Sequence, residues 1–457
     1  MYFALLLHAH VRSYGSYGYI VSPKFHKAHI FNRTGAVFLS VLSHEKQGFA
    51  ILVSKVKSVL KIQESIFEHD LYNFYSSLVK FGYVESDTEV NNCSDLNHFS
   101  NLKSDDDIDS FFHKEFSKSP VLRSCQIEIT DICNERCIHC YIPHEQKNHF
   151  MTYDVIEDLL NQLALMGCLS ITLSGGEVFT HPDIIKILHL LQKHDFSVSI
   201  LSNLTLLTDE IIECLKKIDL DKIHVSVYSL QPETHDYITQ VKGSLEQTMR
   251  NIEKCLSNDI HIKISCPTMK ANYKDFEDLL VWGNKNHIQV LTDYNIMARS
   301  DTSTDNLKQR LSEDEAATVI NSIIRYDESY KKLIKGKVGQ IIKIDESAPI
   351  CNIGRDKICV SSTGNFYPCP GWHEMILGNI HVQSLKDVWY GSEKLNWLRS
   401  LKRCEISKCI SCGSKEFCLL CIQRNYNETK DIYNVPQHFC KIAALNKKLV
   451  MDYLNEL

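Results

Sequence analysis

Between Cys125 and about Arg325, short runs of β-branched residues alternate with longer stretches that repeat apolar residues at helical spacing. The predicted strands are Gln126–Thr130, Ser170–Leu173, Ser197–Leu201, Lys222–Val227, His261–Cys266 and Gln289–Ile296. Six strands, each followed by a helix, indicate an α/β fold with a parallel sheet. The pattern therefore predicts a partial barrel of six βα units, two short of a closed eight-unit barrel.

Three cysteines follow the first predicted strand directly. They are Cys133, Cys137 and Cys140, separated by three and two residues. The loop after a strand is where βα barrels carry their chemistry. Three thiolates this close can hold three irons of a four-iron cluster and leave the fourth iron open, whereas four thiolates close the cluster. A zinc site with His139 or His144 as a further ligand is the alternative.

Polar residues also end the next predicted strands. Gly175, Gly176 and Glu177 follow the second strand, where glycines let the backbone approach a ligand and a carboxylate can bind an ammonium group. Ser202 ends the third strand and Ser226 the fourth. Turn and N-cap roles are the structural alternative for such residues. If the barrel forms, these side chains and the cysteine triplet meet at one edge of the sheet.

The C-terminal part contains a second group of cysteines in a regular order. They are Cys351, Cys359, Cys369, Cys409, Cys412, Cys418, Cys421 and Cys440. The chain has 18 cysteines, and in a reducing compartment these stay as thiols or bind metal. Two sets of four would close two further clusters.

Several alternatives remain for these cysteines. The two C-x2-C pairs alone would allow a zinc ribbon, and Cys404 is a possible substitute ligand. Six cysteines are predicted to be structural thiols, on apolar faces or in a linker: Cys93, Cys125, Cys168, Cys214, Cys255 and Cys266.

The chain is predicted to have four parts. Residues 1–85, with strands between Tyr14 and Ile30 and then three helices, the first from Ala36 to Leu42, suggest a winged-helix-like domain. Residues 86–119 are predicted to be mainly a solvated linker with a possible helix over 108–116. Residues 120–335 would form the barrel, and residues 336–457 the cysteine-rich domain.

Charge and hydropathy exclude several classes of protein. The net charge is −6, from 50 Lys and Arg against 56 Asp and Glu, which gives no reason to expect nucleic-acid binding. The apolar run Phe3–Leu7 is too short for a signal peptide, and no stretch reaches the length of a membrane span. A cytoplasmic enzyme is the expectation.

The triplet, the Gly-Gly-Glu segment and the C-terminal cysteine order together resemble radical S-adenosylmethionine (SAM) enzymes with a SPASM extension. The resemblance implies a partial six-unit (β/α) barrel, a C-terminal SPASM domain, and SAM and three 4Fe-4S clusters as cofactors. Cys133, Cys137 and Cys140 would bind the first cluster, whose open iron chelates the methionine part of SAM. One electron would then release a 5'-deoxyadenosyl radical that removes a substrate hydrogen.

The resemblance also implies roles for further residues. Gly175, Gly176 and Glu177 would hold the amino group of SAM, Ser202 and Ser226 would contact SAM, and Tyr141 would pack against adenine. The inner auxiliary cluster would be bound by Cys351, Cys359, Cys369 and Cys421, and the outer one by Cys409, Cys412, Cys418 and Cys440. The chain departs from the family in having two residues, not three, before Cys421, which leaves the role of that cysteine open.

Residues 1–85 resemble the small domains that bind leader peptides, and residues 173–182 are similar to the subtilosin-type sactipeptide maturases. The resemblance implies an oxidoreductase of bacteriocin biosynthesis that installs thioether crosslinks, from Cys sulfur to carbon, in a ribosomally synthesised precursor peptide. Its partners would be the leader of that peptide and a reductant such as flavodoxin or ferredoxin. The alternatives are a carbon–carbon crosslinking or epimerising maturase, a formylglycine-forming sulfatase activator, a haem-pathway decarboxylase and a non-catalytic peptide-binding protein.

Overall fold

A computed structural model describes residues 1–25, 27–61, 63–88, 105–336 and 346–456. In chain order its strands are β1 Tyr2–Leu5, β2 His10–Tyr14, β3 Tyr17–Ser22, β4 Lys27–Phe31, β5 Gln47–Gly48, β6 Val84–Ser86, β7 Ser124–Thr130, β8 Ser170–Gly175, β9 Ser197–Ser202, β10 Leu220–Ser226, β11 Ile262–Ser265, β12 Val290–Leu291, β13 Lys357–Val360, β14 Asn365–Tyr367 and β15 Gly378–Asn379.

The helices cover most of the remaining described residues. They are α1 Arg33–Ser40, α2 Phe49–Leu60, α3 Glu64–Lys80, α4 Asp105–Glu115, α5 Tyr153–Leu165, α6 Ile184–Gln192, α7 Asp209–Leu215, α8 Pro232–Thr239, α9 Ser244–Ser257, α10 Phe276–Lys285, α11 Glu313–Tyr326, α12 Glu328–Gly336, α13 Leu385–Gly391, α14 Glu393–Ser400, α15 Ser407–Ile410, α16 Ile422–Thr429 and α17 Gln437–Asn455.

The centre of the protein is a nine-stranded sheet in the order β12-β11-β10-β9-β8-β7-β13-β14-β15. Strands β7 to β12 pair in parallel with their neighbours, with Ile127 opposite Leu173 and Leu173 opposite Ile200. These three side chains are fully buried beneath the helices between the strands. The predicted α/β fold with six successive βα units is confirmed.

The sheet differs from the predicted one at both ends. The sixth strand is only Val290–Leu291, far shorter than the predicted 289–296, because the Asp293 side chain accepts the Asn295 backbone N–H (2.9 Å) and turns the chain away. At the other end β13 pairs in parallel with β7, so the cysteine-rich region extends the sheet. That pairing makes the barrel and the cysteine-rich region share one hydrophobic core, to which Trp389 contributes.

The N-terminal region contains two three-stranded antiparallel sheets, β5-β1-β6 and β2-β3-β4, and helices α1 to α3 around a separate core. Helix α1 begins at Arg33, not at the predicted Ala36, because the Asn32 side chain accepts the N–H groups of Thr34 (3.1 Å) and Gly35 (3.2 Å). Residues predicted to be a turn therefore form the capped first turn of the helix.

Helix α4 lies within the segment predicted to be mainly linker. Its Phe112 packs edge to face against Tyr14 (5.3 Å between ring centroids) and Tyr19 (5.4 Å) of the β2-β3-β4 sheet. Leu169, at the start of the second barrel strand, belongs to the same cluster. Residues 89–104, including Cys93, lie outside the described residues.

A polar junction joins the N-terminal region to the barrel. His10 is buried, with Nδ1 2.6 Å from Asp195 Oδ1 and Nε2 2.5 Å from Asp219 Oδ2. Arg12 adds an ion pair to Asp195 (2.7 Å) and donates to the Cys168 carbonyl (3.0 Å). The inner edge strand, β2, therefore faces the barrel. No helix among the described residues is long and apolar enough to cross a membrane.

Candidate active site

A cavity of about 380 Å³ opens where the parallel strands end at their carboxyl termini. It is lined by residues of the cysteine loop, by residues at the ends of successive strands and by the segment after β12. They are Cys133, Glu135, Cys137, His139, Cys140, Tyr141, Ile142, Lys147, Ser174, Gly175, Gly176, Leu201, Ser202, Asn203, His224, Ser226, Tyr228, Ser265, Pro267, Asp293, Asn295, Ile296 and Met297. The structure thus brings together all the residues predicted for the SAM site except Glu177.

The cysteine triplet occupies a loop whose backbone is fixed to the fourth βα unit. The N–H of Arg136 donates to Thr239 O and that of Ile138 to Ile238 O, both at 3.0 Å. Burial raises the pKa of Cys133 to about 12, so that thiol ionises only beside a compensating cation. An iron cluster supplies such a cation, and three thiols that line one cavity fit its chemistry.

Gly175 and Gly176 allow the second strand to approach the cysteine loop closely. Gly175 has a φ of +135°, and a Cβ there would lie 1.8 Å from Thr130 O. A Cβ on Gly176 would lie 2.3 Å from Asp131 O, and its N–H donates to Thr130 O (2.8 Å). Only glycine permits this backbone contact. The backbone of Gly175 and Gly176 therefore forms one wall of the cavity.

Glu177 follows β8, as predicted, and its side chain lies among protein donors. Its carboxylate is 1% exposed and accepts three hydrogen bonds: from Phe179 N (3.0 Å), Ser202 Oγ (2.7 Å) and Asn203 N (2.6 Å). It is absent from the described cavity lining. These three donors fix the carboxylate beneath the site, and the contact of the Gly175-Gly176-Glu177 segment with the amino group of SAM stays a prediction.

Ser202, Ser226 and Tyr141 all line the cavity, as predicted for residues that contact SAM. The Ser202 hydroxyl donates to Glu177, so that serine also fixes the carboxylate beneath the site. The Tyr141 hydroxyl donates to the buried Glu128 (3.2 Å), which sets the plane of the ring against the cavity.

Several polar residues of the cavity were not predicted to contact SAM: Glu135, Lys147, Tyr228, Asn295 and His139, the last of which was considered only as a zinc ligand. Lys147 Nζ lies 3.4 Å from Cys140 Sγ, and the Tyr228 hydroxyl lies 3.7 Å from Cys137 Sγ. His139, Asn295 and Glu135 each have a buried polar atom without a hydrogen-bond partner among the described residues. Glu135 is visible in the sequence as a charged residue inside the cysteine loop, but nothing in the sequence shows that it is buried.

A second cavity, of about 210 Å³, is lined by the cysteines predicted for the outer auxiliary cluster: Cys409, Cys412, Cys418 and Cys440. Burial, followed by the neighbouring thiols, raises the pKa of Cys418 to about 11. Arg403, Lys408 and Lys415 also line the cavity and would offset negative charge on a thiolate-bound cluster. Four converging thiols with basic neighbours fit a closed 4Fe-4S cluster.

The predicted inner set also comes together. Burial, followed by the neighbouring thiols of Cys421 and Cys351, raises the pKa of Cys369 to about 12. Burial and the Cys421 thiol also raise the pKa of Cys351. Cys359, buried on β13, interacts in the same way with Cys369. The placement of Cys421 argues against a ribbon that would pair it with Cys418.

Other thiols lie apart from these sets. Cys404 is exposed and does not line the described outer cavity, whereas five of the predicted structural cysteines are buried: Cys125, Cys168, Cys214, Cys255 and Cys266. In the described part of the chain, no three His, Cys, Asp or Glu side chains are arranged around a single metal ion.

The inner set adjoins the main cavity. A Cβ on Gly371, two residues after Cys369, would lie 2.7 Å from the Met297 side chain and 3.3 Å from the Tyr141 ring, and both side chains line the cavity. An ion pair between Asp293 of the cavity wall and Arg424 of α16 makes a second connection.

Comparisons with known proteins agree with this arrangement. The profile of the radical SAM superfamily matches residues 127–282, and that of the SPASM iron-sulfur cluster-binding domain matches residues 351–413. The AdoMet-dependent heme synthase of Methanosarcina barkeri is 25% identical over 68% of this chain and 94% of its own. The subtilosin biosynthesis protein AlbA of Bacillus subtilis is 24% identical over 68% of this chain and 69% of its own.

Among solved structures, Streptococcus suis SuiB bound to its precursor peptide SuiA has a similar fold, with a TM-score of 0.66 and 17% identity over 96% of this chain and 100% of that one. The two domain matches fall on the regions that contain the triplet and most of the C-terminal cysteines. The chain therefore contains a radical SAM domain and a SPASM iron-sulfur cluster-binding domain, whose cofactors are S-adenosylmethionine and 4Fe-4S clusters.

Proposed function

We propose that this enzyme installs thioether crosslinks, from Cys sulfur to carbon, in a ribosomally synthesised precursor peptide. The observation that carries the proposal is the N-terminal region, which has its own core and a sheet with an outer edge strand, β4. Among the described residues β4 pairs only with β3, so its other edge can accept an extended peptide as a fourth strand. The similarity to the subtilosin biosynthesis protein and to peptide-bound SuiB supports a peptide substrate.

The outer edge has features suited to recognising a leader peptide. His29 on β4 contacts the Tyr83 hydroxyl through Nδ1 (2.9 Å) and packs near the Phe81 ring (5.0 Å). Phe81 is 38% exposed at the end of α3. The strand edge offers backbone hydrogen bonds and the aromatic side chains offer apolar contact, so a leader would be bound by both.

The remaining roles follow from the positions of the three cysteine groups. Cys133, Cys137 and Cys140 would hold the SAM-binding cluster, and Tyr141, Ser202 and Ser226 would contact SAM. When bound, these cofactors supply the radical chemistry that the protein itself lacks. The inner set would hold an auxiliary cluster beside the cavity, and the outer set would hold a second one that exchanges electrons with a reductant such as flavodoxin or ferredoxin.

The reaction has a defined mass balance. A peptide cysteine loses its S–H hydrogen, an acceptor residue loses a C–H hydrogen, and a C–S bond forms. Each crosslink therefore removes two hydrogens from the peptide and consumes one free thiol. One hydrogen would leave in 5'-deoxyadenosine and the other as a proton, and the inner cysteine set would hold an auxiliary cluster able to accept the remaining electron. The loop after Cys369 contacts Tyr141 and Met297 in the cavity wall, which brings that set close to the site.

The test uses the reconstituted enzyme with SAM, a reductant and a cysteine-containing precursor peptide, to be identified among the short reading frames beside its gene. The expected product has lost two hydrogens and one alkylatable thiol per crosslink. Cys133→Ala should abolish product and SAM cleavage, whereas Cys404→Ala, a change at an exposed thiol outside all three groups, should not. A carbon–carbon crosslink would lose the hydrogens but keep the thiol, and an epimerase would take up deuterium from heavy water without mass loss; either result contradicts the proposal.

A haem-pathway reaction is the second candidate, because the heme synthase relative matches over 94% of its length. That relative covers only 68% of this chain, which leaves part of the chain without a counterpart. Decarboxylation of a tetrapyrrole, with no change in any peptide offered, would support this candidate. Oxidation of a sulfatase Cys or Ser to formylglycine would identify a sulfatase activator.

A further inference from the structure

The outer cysteine set lies at a locally basic surface of the protein. Arg403, Lys408 and Lys415 line its cavity together with the four thiols. Lys447 of α17 reaches the same place, because its ammonium group donates to the Gly413 carbonyl (2.6 Å) in the loop between these cysteines. These four basic residues form what we call the basic face.

Most of the charge on the basic face is not compensated within the protein. Lys415 is paired with Glu346 (3.3 Å). The other three have no carboxylate within ion-pair distance among the described residues: Arg403, Lys408 and Lys447. Residues 402–418 include four Lys or Arg and two Glu, whereas the whole chain has 50 basic against 56 acidic residues. A positive surface on a negatively charged protein steers an acidic partner to that one place.

Exposed apolar side chains lie beside the same cysteines. Leu419 is 79% exposed and directly follows Cys418, and Ile410 is 37% exposed and directly follows Cys409. Complexes of electron-transfer proteins bury small interfaces and are short-lived, so two such side chains within a charged surface suit them. The basic face thus combines charge that attracts a partner with apolar contact next to the predicted cluster ligands.

Arg403 connects the outer set with the inner one. Burial raises the pKa of Cys351 in the inner set and of Cys409 in the outer set, and the Arg403 guanidinium opposes both shifts. One cation therefore lies within electrostatic reach of both sets. The inner set in turn adjoins the main cavity through the loop at Gly371. An electron received at the basic face would have a route through the two sets toward that cavity.

The main cavity is less suited to receive an acidic protein. Its lining contains one lysine, Lys147, and two carboxylates, Glu135 and Asp293. Lys147 is directed to Cys140 Sγ (3.4 Å). The same opening also has to admit SAM and the peptide, so a carrier bound there would compete with both.

We propose that the basic face binds an acidic one-electron carrier protein of the flavodoxin or ferredoxin class. The proposal deepens the proposed function and rests on its assignment of the outer set to an auxiliary cluster. In each encounter the reduced carrier loses one electron and the enzyme gains it, and no atom is transferred. The basic face sets the rate of this encounter because charges around an interface act mainly on association.

Anaerobic stopped-flow mixing tests the proposal on the reconstituted full chain without SAM or peptide. The probe is an acidic flavodoxin in its hydroquinone form, and the signal is formation of the flavin semiquinone, which reports the loss of one electron. Lys408→Glu combined with Lys447→Glu should slow this reaction by about tenfold or more at low salt. The difference should shrink in about 1 M salt, where charges are screened beyond about 3 Å.

Lys186→Glu combined with Lys216→Glu is the matched control. It changes the net charge equally on α6 and α7, where these lysines are 70% and 44% exposed, and should slow the reaction less than threefold. Photoreduced 5-deazariboflavin, a small uncharged reductant, should reduce all variants at the same rate. If the first pair loses iron, Lys408→Gln alone should still slow the flavodoxin reaction about threefold.

Carbodiimide crosslinking locates the carrier independently of any electron transfer. Carboxylates of oxidised flavodoxin should be joined to the lysines of the basic face: Lys408, Lys415 and Lys447. Crosslinks confined to other lysines, equal slowing by both pairs, slowing with 5-deazariboflavin as well, or an unchanged rate would each overturn the proposal. No peptide enters these measurements, so their failure is distinct from a failure of thioether formation.

Discussion

Replacing His10 should loosen the attachment of the N-terminal region to the barrel. Both ring nitrogens of His10 face carboxylate oxygens, at 2.6 Å from Asp195 and 2.5 Å from Asp219, so the doubly protonated ring is the form that donates both hydrogen bonds. Burial alone would lower the pKa of His10, but the hydrogen bonds to the two carboxylates outweigh it and raise the pKa. His10→Phe keeps an aromatic ring of similar size and removes both donors.

The size of the effect follows from what the substitution leaves behind. Removing one partner of a buried ion pair costs about 3–5 kcal/mol. Here the Asp195 side chain is 36% exposed and keeps Arg12, so most of the cost falls on Asp219, which is 12% exposed. We therefore expect a loss of about 2 kcal/mol in the free energy that holds the N-terminal region against the barrel. Asp219→Asn added to His10→Phe should recover part of it.

The pH dependence has a defined sign. Because the folded-state pKa of His10 is raised above the ordinary 6.5, its stabilisation is fully present below about pH 6.5 and is lost as pH rises through the folded-state pKa. In the wild type, the free energy that holds the N-terminal region against the barrel should therefore fall toward alkaline pH. This pH dependence should be smaller in His10→Phe.

Amide hydrogen exchange in β2 and β3 measures this local opening, because a chain with several cores need not unfold in one step. A loss of about 2 kcal/mol corresponds to exchange roughly 30 times faster. His44→Phe is the control: His44 also contacts Asp195 (3.3 Å), but it is 37% exposed, so its effect should stay below about 1 kcal/mol. Unchanged exchange in His10→Phe, or an equal change in His44→Phe, would refute the reasoning.

Two further predictions concern the cofactor sites. Gly176→Ala places a Cβ 2.3 Å from Asp131 O and 2.4 Å from Ile132 O, so the cysteine loop has to move. Iron and SAM binding at the first site should therefore fall sharply. The auxiliary clusters, measured as the remaining iron, should persist. Cys412→Ala should lower iron content by about four atoms per chain, the content of one 4Fe-4S cluster, whereas Cys404→Ala should leave it unchanged; equal iron in the two variants would contradict the outer-set assignment.

The order of strands and cysteines was predictable because it depends on periodicity and spacing, which are local in the chain. Six successive βα units place the triplet and Ser202 at one edge of the sheet without knowledge of packing. The partition of the C-terminal cysteines followed from family resemblance, and the structure groups Cys421 with Cys351 and Cys369 although its spacing departs from the family.

The remaining features depend on contacts between distant segments. Nothing near Glu177 in the sequence shows that donors from the end of β9 occupy its carboxylate. The four-residue strand β13 is too short to be recognised, and its pairing with β7 links residues more than 200 positions apart. Burial of Glu135 likewise depends on the whole cavity and cannot be deduced from its place in the cysteine loop.

The central claim is tested most directly by mass spectrometry of the cognate precursor peptide after reaction with the reconstituted enzyme, SAM and a reductant, followed by thiol alkylation. Thioether formation predicts a loss of two hydrogens and one alkylatable thiol for each crosslink, with fragment ions that map both linked residues. A modified peptide that retains every alkylatable thiol, or an unmodified peptide in a reaction that cleaves SAM, would contradict it.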